Sequence, residues 1–248
     1  MGSPGRTAFV TGSSQGIGAA TALALAADGY RVIVHYGGSQ DKAQAVVAAI
    51  RETGGQAEMV GADLSDPAAP PRLAADVAAL CPDGLHALVL NAAVMPMSNF
   101  ADCTPEVLDR IYTVNLRAPF LLLQALSPIL AEGASVTFVS SLTARRVTGG
   151  VAAYASLKGA TETMVRRAAH EFGPRWIRVN AVAPGTTATG PIKPWTETDQ
   201  GFEITTRDQA LKRIAQPEDI ADVIAFLASD QARWITGAVI PADGGALL

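Results

Sequence analysis

Close to its N-terminus the chain reads Thr11-Gly12-Ser13-Ser14-Gln15-Gly16-Ile17-Gly18, directly after the apolar run Ala8-Phe9-Val10. We interpret this stretch as the turn that joins a first β-strand to a first α-helix. Gly12 lets the chain turn tightly out of the strand, Gly16 leaves room for a pyrophosphate at the helix N-terminus, and Gly18 lets the helix pack closely on the sheet. A tight strand–helix turn that binds no ligand would use the same glycines, so the turn alone does not decide the function.

Short apolar runs alternate with helical patterns along the rest of the chain. The predicted strands cover residues 8–10, 31–36, 57–61, 86–90, 135–139, 177–182 and 239–240. The predicted helices cover residues 16–28, 40–53, 67–80 (interrupted early by Pro70-Pro71), 105–131 (bent or shortened at Ser127-Pro128), 152–172 and 217–228. Regular β-α-β alternation with continuous apolar strands predicts an α/β fold, a doubly wound parallel β-sheet of the Rossmann type with helices on both faces.

The length of the chain predicts one such domain over residues 1–248. Its 248 residues fall within the range of a single α/β domain, and 49% hydrophobic residues supply a core on both faces of a sheet. Residues 186–212 show no clear periodicity. A loop of this size in a compact domain usually borders a binding site, so we expect a substrate loop or lid there.

Charge and residue spacing argue against several classes of function. The net charge is −4 and the 19 Lys and Arg residues are scattered, so we expect no binding of nucleic acid or of an anionic membrane. Cys81 and Cys103 form no CxxC pair, which argues against a disulfide framework or a cysteine-rich zinc site. His35, His86 and His170 lack metal-ligand spacing, and we interpret them as structural or surface residues.

The N-terminal residues suggest no export signal. Met1 to Gly5 is short and polar and contains no apolar segment, so we expect no signal peptide. The longest apolar runs are interrupted by Gly, Pro or charged residues before they reach the thickness of a bilayer. We therefore expect a cytoplasmic protein.

The spacing of the glycine turn departs from the common GxGxxG pattern and reads Thr-Gly-x-x-x-Gly-x-Gly at residues 11–18. In this spacing, and in motifs that continue almost to the C-terminus, the sequence resembles the short-chain dehydrogenase/reductase family, and within it the 3-oxoacyl-[acyl-carrier-protein] reductase type. The further motifs are Asp63-Leu64, Asn91-Ala92, Asn115, Ser141, Tyr154-x-x-x-Lys158, Pro184-Gly185, Ile235-Thr236-Gly237 and Asp243-Gly244-Gly245. The resemblance implies an oxidoreductase that moves a hydride between a nicotinamide cofactor and a carbonyl or alcohol.

Tyr154 and Lys158 are the first candidate catalytic residues. They lie four residues apart on a predicted helix and therefore share a face. A nearby ammonium favours the phenolate of a tyrosine, whose free pKa is about 10, so Tyr154 can give a proton to a developing alkoxide or take one from an alcohol. A solvated surface pair of Tyr and Lys is the structural alternative.

Ser141 supports the catalytic interpretation. It ends the fifth predicted strand, at the edge of the sheet where α/β proteins bind ligands, and a hydroxyl there can stabilise charge on a substrate oxygen. Ser140 is the competing candidate, and capping of the strand end is the structural alternative; the family spacing to Tyr154 favours Ser141. The resemblance also implies that Asn115 holds a water linking Lys158 to solvent, and that Lys158 binds the nicotinamide ribose. An Asn that bends its helix and is satisfied internally remains the alternative for Asn115.

The end of the second strand favours NADP(H) over NAD(H). Residues 35–39 contain no Asp or Glu, which NAD enzymes usually place there to bind the ribose 2′-OH, and the first acid is Asp41. Ser39, the backbone around Gly38 and Lys42 are candidates for binding a 2′-phosphate, although Lys42 is equally explained as a surface charge. Gln15 stands where the family commonly has a basic residue.

The remaining cofactor contacts are implied by the resemblance. The full set is Gly12, Ser14, Gln15, Gly16, Ile17, Gly18, Ser39, Asp63, Leu64, Asn91, Ala92, Tyr154, Lys158, Pro184, Gly185, Thr187 and Thr189. Asp63 is expected at the adenine edge, although a cap of the next helix would also explain it. Asn91 is expected near the adenosine ribose, and Ala93 departs from the glycine that the family usually has there.

The substrate pocket is expected to be apolar. Its predicted lining is Val94 to Met97, Leu142 to Val147, Ile192, Trp195 and Phe202. Such a lining suits a medium-sized hydrophobic ketone, for example a 3-oxoacyl group. Arg145-Arg146 near the pocket mouth either contact an anionic group of the substrate or are solvated.

Three functions remain open. The first is an NADP(H)-dependent carbonyl reductase, the second an NAD-dependent alcohol or sugar dehydrogenase acting in oxidation, and the third a non-catalytic dinucleotide-binding regulator on the same fold. An intact Ser141, Tyr154 and Lys158 argues against the third. The resemblance also implies a homotetramer or homodimer, formed through the helices at 105–131 and 152–172.

Overall fold

The sheet follows the predicted architecture. The computed structural model describes residues 5–147 and 149–246. Its strands are β1 Thr7–Val10, β2 Arg31–Tyr36, β3 Ala57–Gly61, β4 Leu85–Leu90, β5 Leu130–Val139, β6 Arg178–Pro184 and β7 Val239–Ala242. Across the described residues they form one seven-stranded parallel sheet in the order β3-β2-β1-β4-β5-β6-β7. The strand order reverses between β1 and β4, so a crevice opens there at the carboxyl ends of the strands. The predicted fold class is confirmed.

Helices cover both faces of the sheet. They are α1 Gly16–Ala27, α2 Gln40–Glu52, α3 Ala69–Ala79, α4 Pro105–Tyr112, α5 Ala118–Leu126, α6 Ala152–Phe172, α7 Lys193–Thr196, α8 Asp199–Thr206 and α9 Pro217–Ala228. One apolar core packs α1, α2 and α9 on one face, and the other packs α3, α5 and α6 on the opposite face. Strands β1 and β6 are buried along their whole length because helices cover them on both sides.

Two predicted helices differ from the structure. Pro70 and Pro71 do not interrupt α3 but occupy its first turn. Backbone N–H groups in a first turn have no partner within the helix, so proline costs no hydrogen bond there. The helix predicted over 105–131 is divided into α4, a π-helical turn at Thr113–Arg117, α5 and a 3-10 turn at Ser127–Ile129. Leu130 already belongs to β5, earlier than predicted, because it pairs with Leu85 at the start of β4.

The segment 186–212, predicted to be without regular structure, contains α7 and α8. Both helices are short, and α8 is capped by Thr198, whose Oγ1 accepts from the Gly201 N–H at 3.0 Å. Helices this short do not repeat an apolar period, and a cap involves only a few neighbouring residues. The hydrophobic pattern of the sequence therefore did not reveal them.

Two predictions reach beyond the described residues. The domain predicted over 1–248 includes residues 1–4, 148, 247 and 248, and the expected lack of a signal peptide rests largely on residues 1–4, all of which lie outside the described part. Within the described part, no helix is both long and apolar enough to cross a membrane.

Candidate active site

The glycine turn is closed by side chains that bond its backbone. The Asn91 Nδ2 group, at the end of β4, donates to Thr11 O at 2.9 Å and to Gly12 O at 3.2 Å. A Cβ on Gly18 would lie 2.4 Å from Gly12 O and 2.6 Å from Asn91 Nδ2. Gly18 therefore has to be a glycine for α1 to pack against this turn. Asn91 was predicted beside the adenosine ribose; its amide group holds the backbone of the turn.

Thr11 fixes the two strand ends at the crevice to each other. Its Oγ1 accepts from the backbone N–H groups of Asn91 at 2.9 Å and Ala92 at 3.0 Å, and donates to Val89 O. Gly12 has a φ of +64°, and a Cβ there would lie 2.9 Å from Ala92 Cα. The turn thus has both the backbone conformation and the close approach that require glycine.

His35 is a structural residue of the same turn. The Gly12 N–H donates to its Nδ1 at 2.9 Å, so the ring proton is on Nε2, which donates to Ala62 O at 3.0 Å. Burial lowers the pKa of His35 to about 4, which keeps the ring neutral and this tautomer in place. The sequence interpretation of His35 as structural fits this position, but it did not reveal that His35 ties the end of β2 to the turn.

The loop after β6 reaches the glycine turn from the other side. A Cβ on Gly16, whose φ is +57°, would lie 3.2 Å from Thr189 Cγ2. Gly185 packs so closely on Asp243 that a Cβ there would lie 2.9 Å from Asp243 Cα. Thr187 is buried, and its hydroxyl donates to Gly185 O at 3.1 Å. The predicted cofactor residues of the 184–189 loop and of the turn are thus brought together across the crevice.

The ends of β2 and β3 hold the residues predicted to contact the adenosine half of the cofactor. Lys42 Nζ donates to Gln15 Oε1 at 2.7 Å, which links the start of α2 to the start of α1. Ser39 is the N-cap residue of α2, and its side chain makes no capping bond. Asp63 Oδ1 accepts from the Ser65 N–H at 2.9 Å and hydroxyl at 2.8 Å, and the backbone bond is the main cause that lowers the pKa of Asp63.

The predicted surroundings of Asp63 are met only in part. The Asp63 side chain is exposed and makes the local turn that was considered as the alternative to adenine binding. The Leu64 side chain is buried in the core beside α3, so only its backbone can serve a ligand. Ser14 and Ile17 are half-buried at the start of α1.

Tyr154 and Lys158 are both buried, so the alternative of a solvated surface pair is wrong. Tyr154 is 8% exposed and Lys158 is 3% exposed. Lys158 Nζ donates to Val139 O at 2.6 Å and lies 5.4 Å from the centroid of the Tyr154 ring. Helix α6 therefore places a phenol and an ammonium side by side at the carboxyl end of β5.

Ser141, rather than Ser140, faces the phenol. The Ser141 side chain lies close enough to Tyr154 to lower the pKa of the phenol by hydrogen bonding. The Ser140 hydroxyl points elsewhere and donates to Glu162 Oε1 at 3.3 Å. Ser141 Oγ also accepts from the N–H of Thr143 at 3.2 Å and from its hydroxyl at 3.0 Å. These bonds use the lone pairs of Ser141, which leaves its proton free to point toward the phenol oxygen or a substrate oxygen.

The pKa values of the pair follow from burial. Burial raises the pKa of Tyr154 to about 12, against the bond from Ser141, which lowers it. Burial also lowers the pKa of Lys158 to about 8. At neutral pH the site therefore holds a protonated phenol next to a lysine that still carries most of its charge, which is the arrangement of a proton donor.

Asn115 lies in the π-helical turn, where the Ala118 N–H bonds Thr113 O, five residues back, instead of Val114 O, four residues back. Its side chain is satisfied by one residue: Oδ1 accepts from the Val94 N–H at 2.8 Å, and Nδ2 donates to Val94 O at 2.8 Å. The Asn115 amide is thus satisfied inside the protein, as the alternative interpretation proposed, and the water contact stays a prediction. π-helical turns are common at functional sites.

Arg145 and Arg146 are not two free surface arginines. Arg145 Nε bonds Glu162 Oε2 at 3.0 Å. Arg146 donates to Asp208 Oδ2 at 2.7 Å and to Ala246 O at 2.7 Å. One arginine thus joins the segment after β5 to α6, and the other joins it to the segment 186–212 and to the C-terminal segment.

An open cleft borders the segment 186–212. This space of about 780 Å³ is bordered by Ala188, Lys193 and Phe202, and by the start of α9. None of the predicted catalytic residues borders it, so we do not regard it as the reaction site. In the described ranges, no group of three or more His, Cys, Asp or Glu residues is arranged to hold a metal ion.

Comparisons with known proteins agree with this architecture. A family model described as enoyl-(acyl carrier protein) reductase matches residues 12–246. Versicolorin reductase 1 of Aspergillus parasiticus is 37% identical, over 98% of this chain and 96% of its own length. A short-chain dehydrogenase from Burkholderia cenocepacia J2315, solved in complex with NADP, is 35% identical over 98% of both chains, with a TM-score of 0.91. The angucycline C-6 ketoreductase LanV, solved with bound NADP, is 38% identical over 98% of this chain and 95% of its own, with a TM-score of 0.92.

Proposed function

Since this chain belongs to the short-chain dehydrogenase/reductase family and is an oxidoreductase, we propose that it reduces a ketone to a secondary alcohol with NADPH, and that Tyr154 is its proton donor. One observation carries this proposal: a buried phenol close to Ser141 and neighboured by the ammonium of Lys158, at the carboxyl end of β5. A protein that only binds a dinucleotide has no use for this arrangement, and the relatives are named as reductases.

The proton step follows from the two hydroxyl groups. When bound, NADPH supplies the hydride that adds to the carbonyl carbon. The electron pair of the C=O bond moves to the oxygen, which takes the proton of Tyr154 and becomes the hydroxyl of the product. Ser141 donates a hydrogen bond to the same oxygen because Thr143 occupies its acceptor positions. The charge of Lys158 stabilises the phenolate that is left.

Reprotonation of Tyr154 needs a path to solvent. Lys158 is buried and bonds Val139 O, so it is placed to pass a proton inward but not to take one directly from bulk water. The π-helical turn at Thr113–Arg117 packs against α6. We assign the water of this path to the backbone of Asn115, in keeping with the prediction from the sequence.

The crevice fits a dinucleotide. Gly12, Gly16 and Gly18 let the turn pack closely against Ala92, Thr189 and Asn91. The backbone N–H groups at the start of α1 can then receive a pyrophosphate. The residues that would hold the cofactor are those predicted at the turn, at the ends of β3 and β4, and in the 184–189 loop, together with Tyr154 and Lys158.

The preference for NADP(H) rests on the end of β2. Lys42 and Gln15 meet at 2.7 Å between the starts of α1 and α2, and the Ser39 hydroxyl makes no capping bond. These groups would bind the 2′-phosphate of the cofactor, and no carboxylate in residues 35–39 would repel it. Two relatives described above were solved with NADP.

The substrate is an extended apolar ketone. Large apolar side chains are exposed in or next to the predicted lining segments, among them Met97, Phe100 and Val147, at 70%, 90% and 99% exposure. Met97 packs closely over Gly150, which lies just before α6 and Tyr154. A Cβ on Gly150 would be only 2.4 Å from Met97 Cε. On the lid side, Trp195 and Phe202 are exposed as well. An apolar ketone, of the 3-oxoacyl or another bulky type, would cover these surfaces.

A panel of ketones and alcohols, assayed with NADPH and NADH in parallel, tests the proposal. We expect turnover of bulky apolar ketones with NADPH and slower turnover with NADH. Reaction confined to NAD⁺ and alcohols would support the alternative of a dehydrogenase acting in oxidation. No turnover with any pair, while NADPH still binds, would contradict the proposal.

Assembly into a homotetramer or homodimer and a cytoplasmic location stay predictions. Leu108 and Tyr112 of α4 and Phe120 of α5 are exposed on the helices that were predicted to form the interface. Burying such side chains against a second copy would remove apolar surface from water. Light scattering coupled to size-exclusion chromatography measures the assembly directly.

A further inference from the structure

A buried carboxylate lies on α6 one turn beyond Lys158. Glu162 is 7% exposed, and it follows Lys158 by four residues, so the two side chains share a face of the helix. A carboxylate is costly to bury unless both of its oxygens find partners. Glu162 meets this condition, because Oε1 accepts from the Ser140 hydroxyl at 3.3 Å and Oε2 from Arg145 Nε at 3.0 Å.

The two partners lie at the two ends of one short segment. Ser140 follows the last residue of β5, and Arg145 ends the 3-10 turn Leu142–Ala144. Ser141 lies between them, and its hydroxyl faces Tyr154. Lys158 holds the residue before this segment, since its Nζ donates to Val139 O. Two residues on the same face of α6 therefore form hydrogen bonds to the chain before and after Ser141.

From this geometry we infer that Glu162 is a positioning residue, which sets the Ser141 hydroxyl for catalysis by clamping Ser140 and Arg145. This inference rests on the proposed reductase function and extends it to a residue that touches neither substrate nor cofactor. The clamp acts on orientation: the Ser141 hydroxyl has to meet the substrate oxygen as negative charge forms, and a small displacement loses that bond. Most of the predicted apolar lining, including Met97, Trp195 and Phe202, lies outside the clamped residues 140–145, so we expect substrate affinity to change little.

Four variants test the clamp. Glu162→Leu removes both bonds, and Glu162→Gln keeps the shape and one acceptor oxygen. Arg145→Met breaks only the far end of the clamp, at a residue whose side chain is 40% exposed, so it does not threaten the core. Glu171→Gln, an exposed carboxylate on the same helix, is the matched control.

The expected result is a loss in kcat without a change in substrate affinity. We expect kcat for ketone reduction to fall by about 10- to 100-fold in Glu162→Leu, with KM and the dissociation constant of NADP⁺ within about twofold of the parent protein. Arg145→Met shows a smaller loss in the same direction, Glu162→Gln recovers a large part of kcat, and Glu171→Gln matches the parent.

Amide hydrogen exchange gives a readout that does not depend on turnover. The N–H groups of Thr143, Ala144, Arg145 and Arg146 are all bonded within this segment. We expect them to exchange faster in Glu162→Leu and Arg145→Met, whereas the amides of β5 and α6 keep their protection.

The possible outcomes distinguish a failure of the Glu162 clamp from a failure of the proposed reductase function. If kcat in both Glu162→Leu and Arg145→Met stays within about twofold of the parent, or if only KM rises, Glu162 does not position Ser141 and the inference is wrong. If Glu162→Leu does not fold, Arg145→Met decides alone. If the parent protein reduces no ketone, the proposed function fails, and unchanged exchange at residues 143–146 is then the result that rejects the clamp.

Discussion

The two sides of the crevice are held by different kinds of interaction. On the first side, which we call the turn side (residues 10–18, 35, 91 and 92), neutral groups bond the backbone: Thr11, His35 and Asn91 all contact main-chain atoms. On the second, the α6 side (residues 139–146 and 154–162), charged side chains are buried, with Lys158 on Val139 O and Glu162 on Arg145. Shape therefore controls the turn side, and charge and proton position control the α6 side.

Replacing the phenol of Tyr154 gives the largest effect, and it acts on the α6 side alone. We expect Tyr154→Phe to lower kcat for ketone reduction by about 10³-fold, because the proton donor is lost. The ring still fills its buried place, so NADPH binding, measured by fluorescence titration, persists. Tyr112→Phe, at an exposed position on α4, serves as control. A Tyr154→Phe protein with near-parental activity would show that another group supplies the proton.

Adding one methyl group at Gly18 acts on the turn side. A Cβ there meets two groups that cannot move freely, the carbonyl of Gly12 at 2.4 Å and the amide of Asn91 at 2.6 Å. We expect Gly18→Ala to lower the free energy of unfolding by about 1–3 kcal/mol and to weaken NADPH binding. Urea denaturation measures the first effect.

Gly173→Ala is the control for this comparison. Gly173 has helical backbone angles, and a Cβ there has nothing within 4 Å. Equal unfolding free energies for the two variants would mean that the turn can open to admit a side chain, and the contrast between the two sides would then be wrong.

Removing the charge of Lys158 separates stability from activity. The folded-state pKa of about 8 lies below the ordinary lysine value of 10.5, so folding is opposed by the buried charge at all pH values below about 8. We expect Lys158→Met to lower kcat, by less than Tyr154→Phe does, and yet to raise the free energy of unfolding at pH 7 by on the order of 1 kcal/mol.

The pH dependence gives the sign of this effect. As the pH rises from about 8 to 10.5, the lysine of the parent protein loses its proton in the folded state first, so the parent gains stability and the advantage of Lys158→Met shrinks. Thermal melts of both proteins across this range measure it. Lys193→Met, at an exposed lysine, is the control. A variant less stable than its parent at pH 7 would show that the bond to Val139 O outweighs the buried charge.

Lys42→Ala has the smallest expected effect, because Lys42 and Gln15 are both exposed. We expect the dissociation constant of 2′,5′-ADP, measured by calorimetry, to rise by about 3- to 10-fold, with that of ADP unchanged. The difference diminishes at high salt. An equal effect on both nucleotides, or none on either, would remove Lys42 from phosphate recognition.

Much of the fold could be predicted because its determinants are local. The glycine turn at residues 11–18 and the helix bounds 152–172 and 217–228 are encoded by neighbouring residues, and the structure reproduces both helices. The early start of β5 at Leu130 is different, since only pairing with Leu85 reveals it. Strand ends that depend on a distant partner leave no mark in a single sequence.

The candidate site shows the same division. Tyr154, Lys158 and Ser141 follow from spacing and resemblance. Thr143 was expected only as pocket lining, and Glu162 was not singled out. A Glu on a helix is normally solvated. The local sequence does not indicate that Glu162 faces inward and bonds Ser140. Its one available signal was the period of four from Tyr154 through Lys158 to Glu162.

The π-helical turn at Thr113–Arg117 sets the rotational phase between α4 and α5. An α-helix advances by about 100° per residue, so one extra residue in a turn rotates everything beyond it. Ile111 of α4 and Leu122 and Leu126 of α5 nevertheless point into the protein, because the wide turn absorbs that rotation. Deleting one residue here would keep the helix but turn one half of it away from the core, and the amide of Asn115 away from Val94. The orientation of the Asn115 side chain therefore depends on the number of residues in this turn as well as on their types.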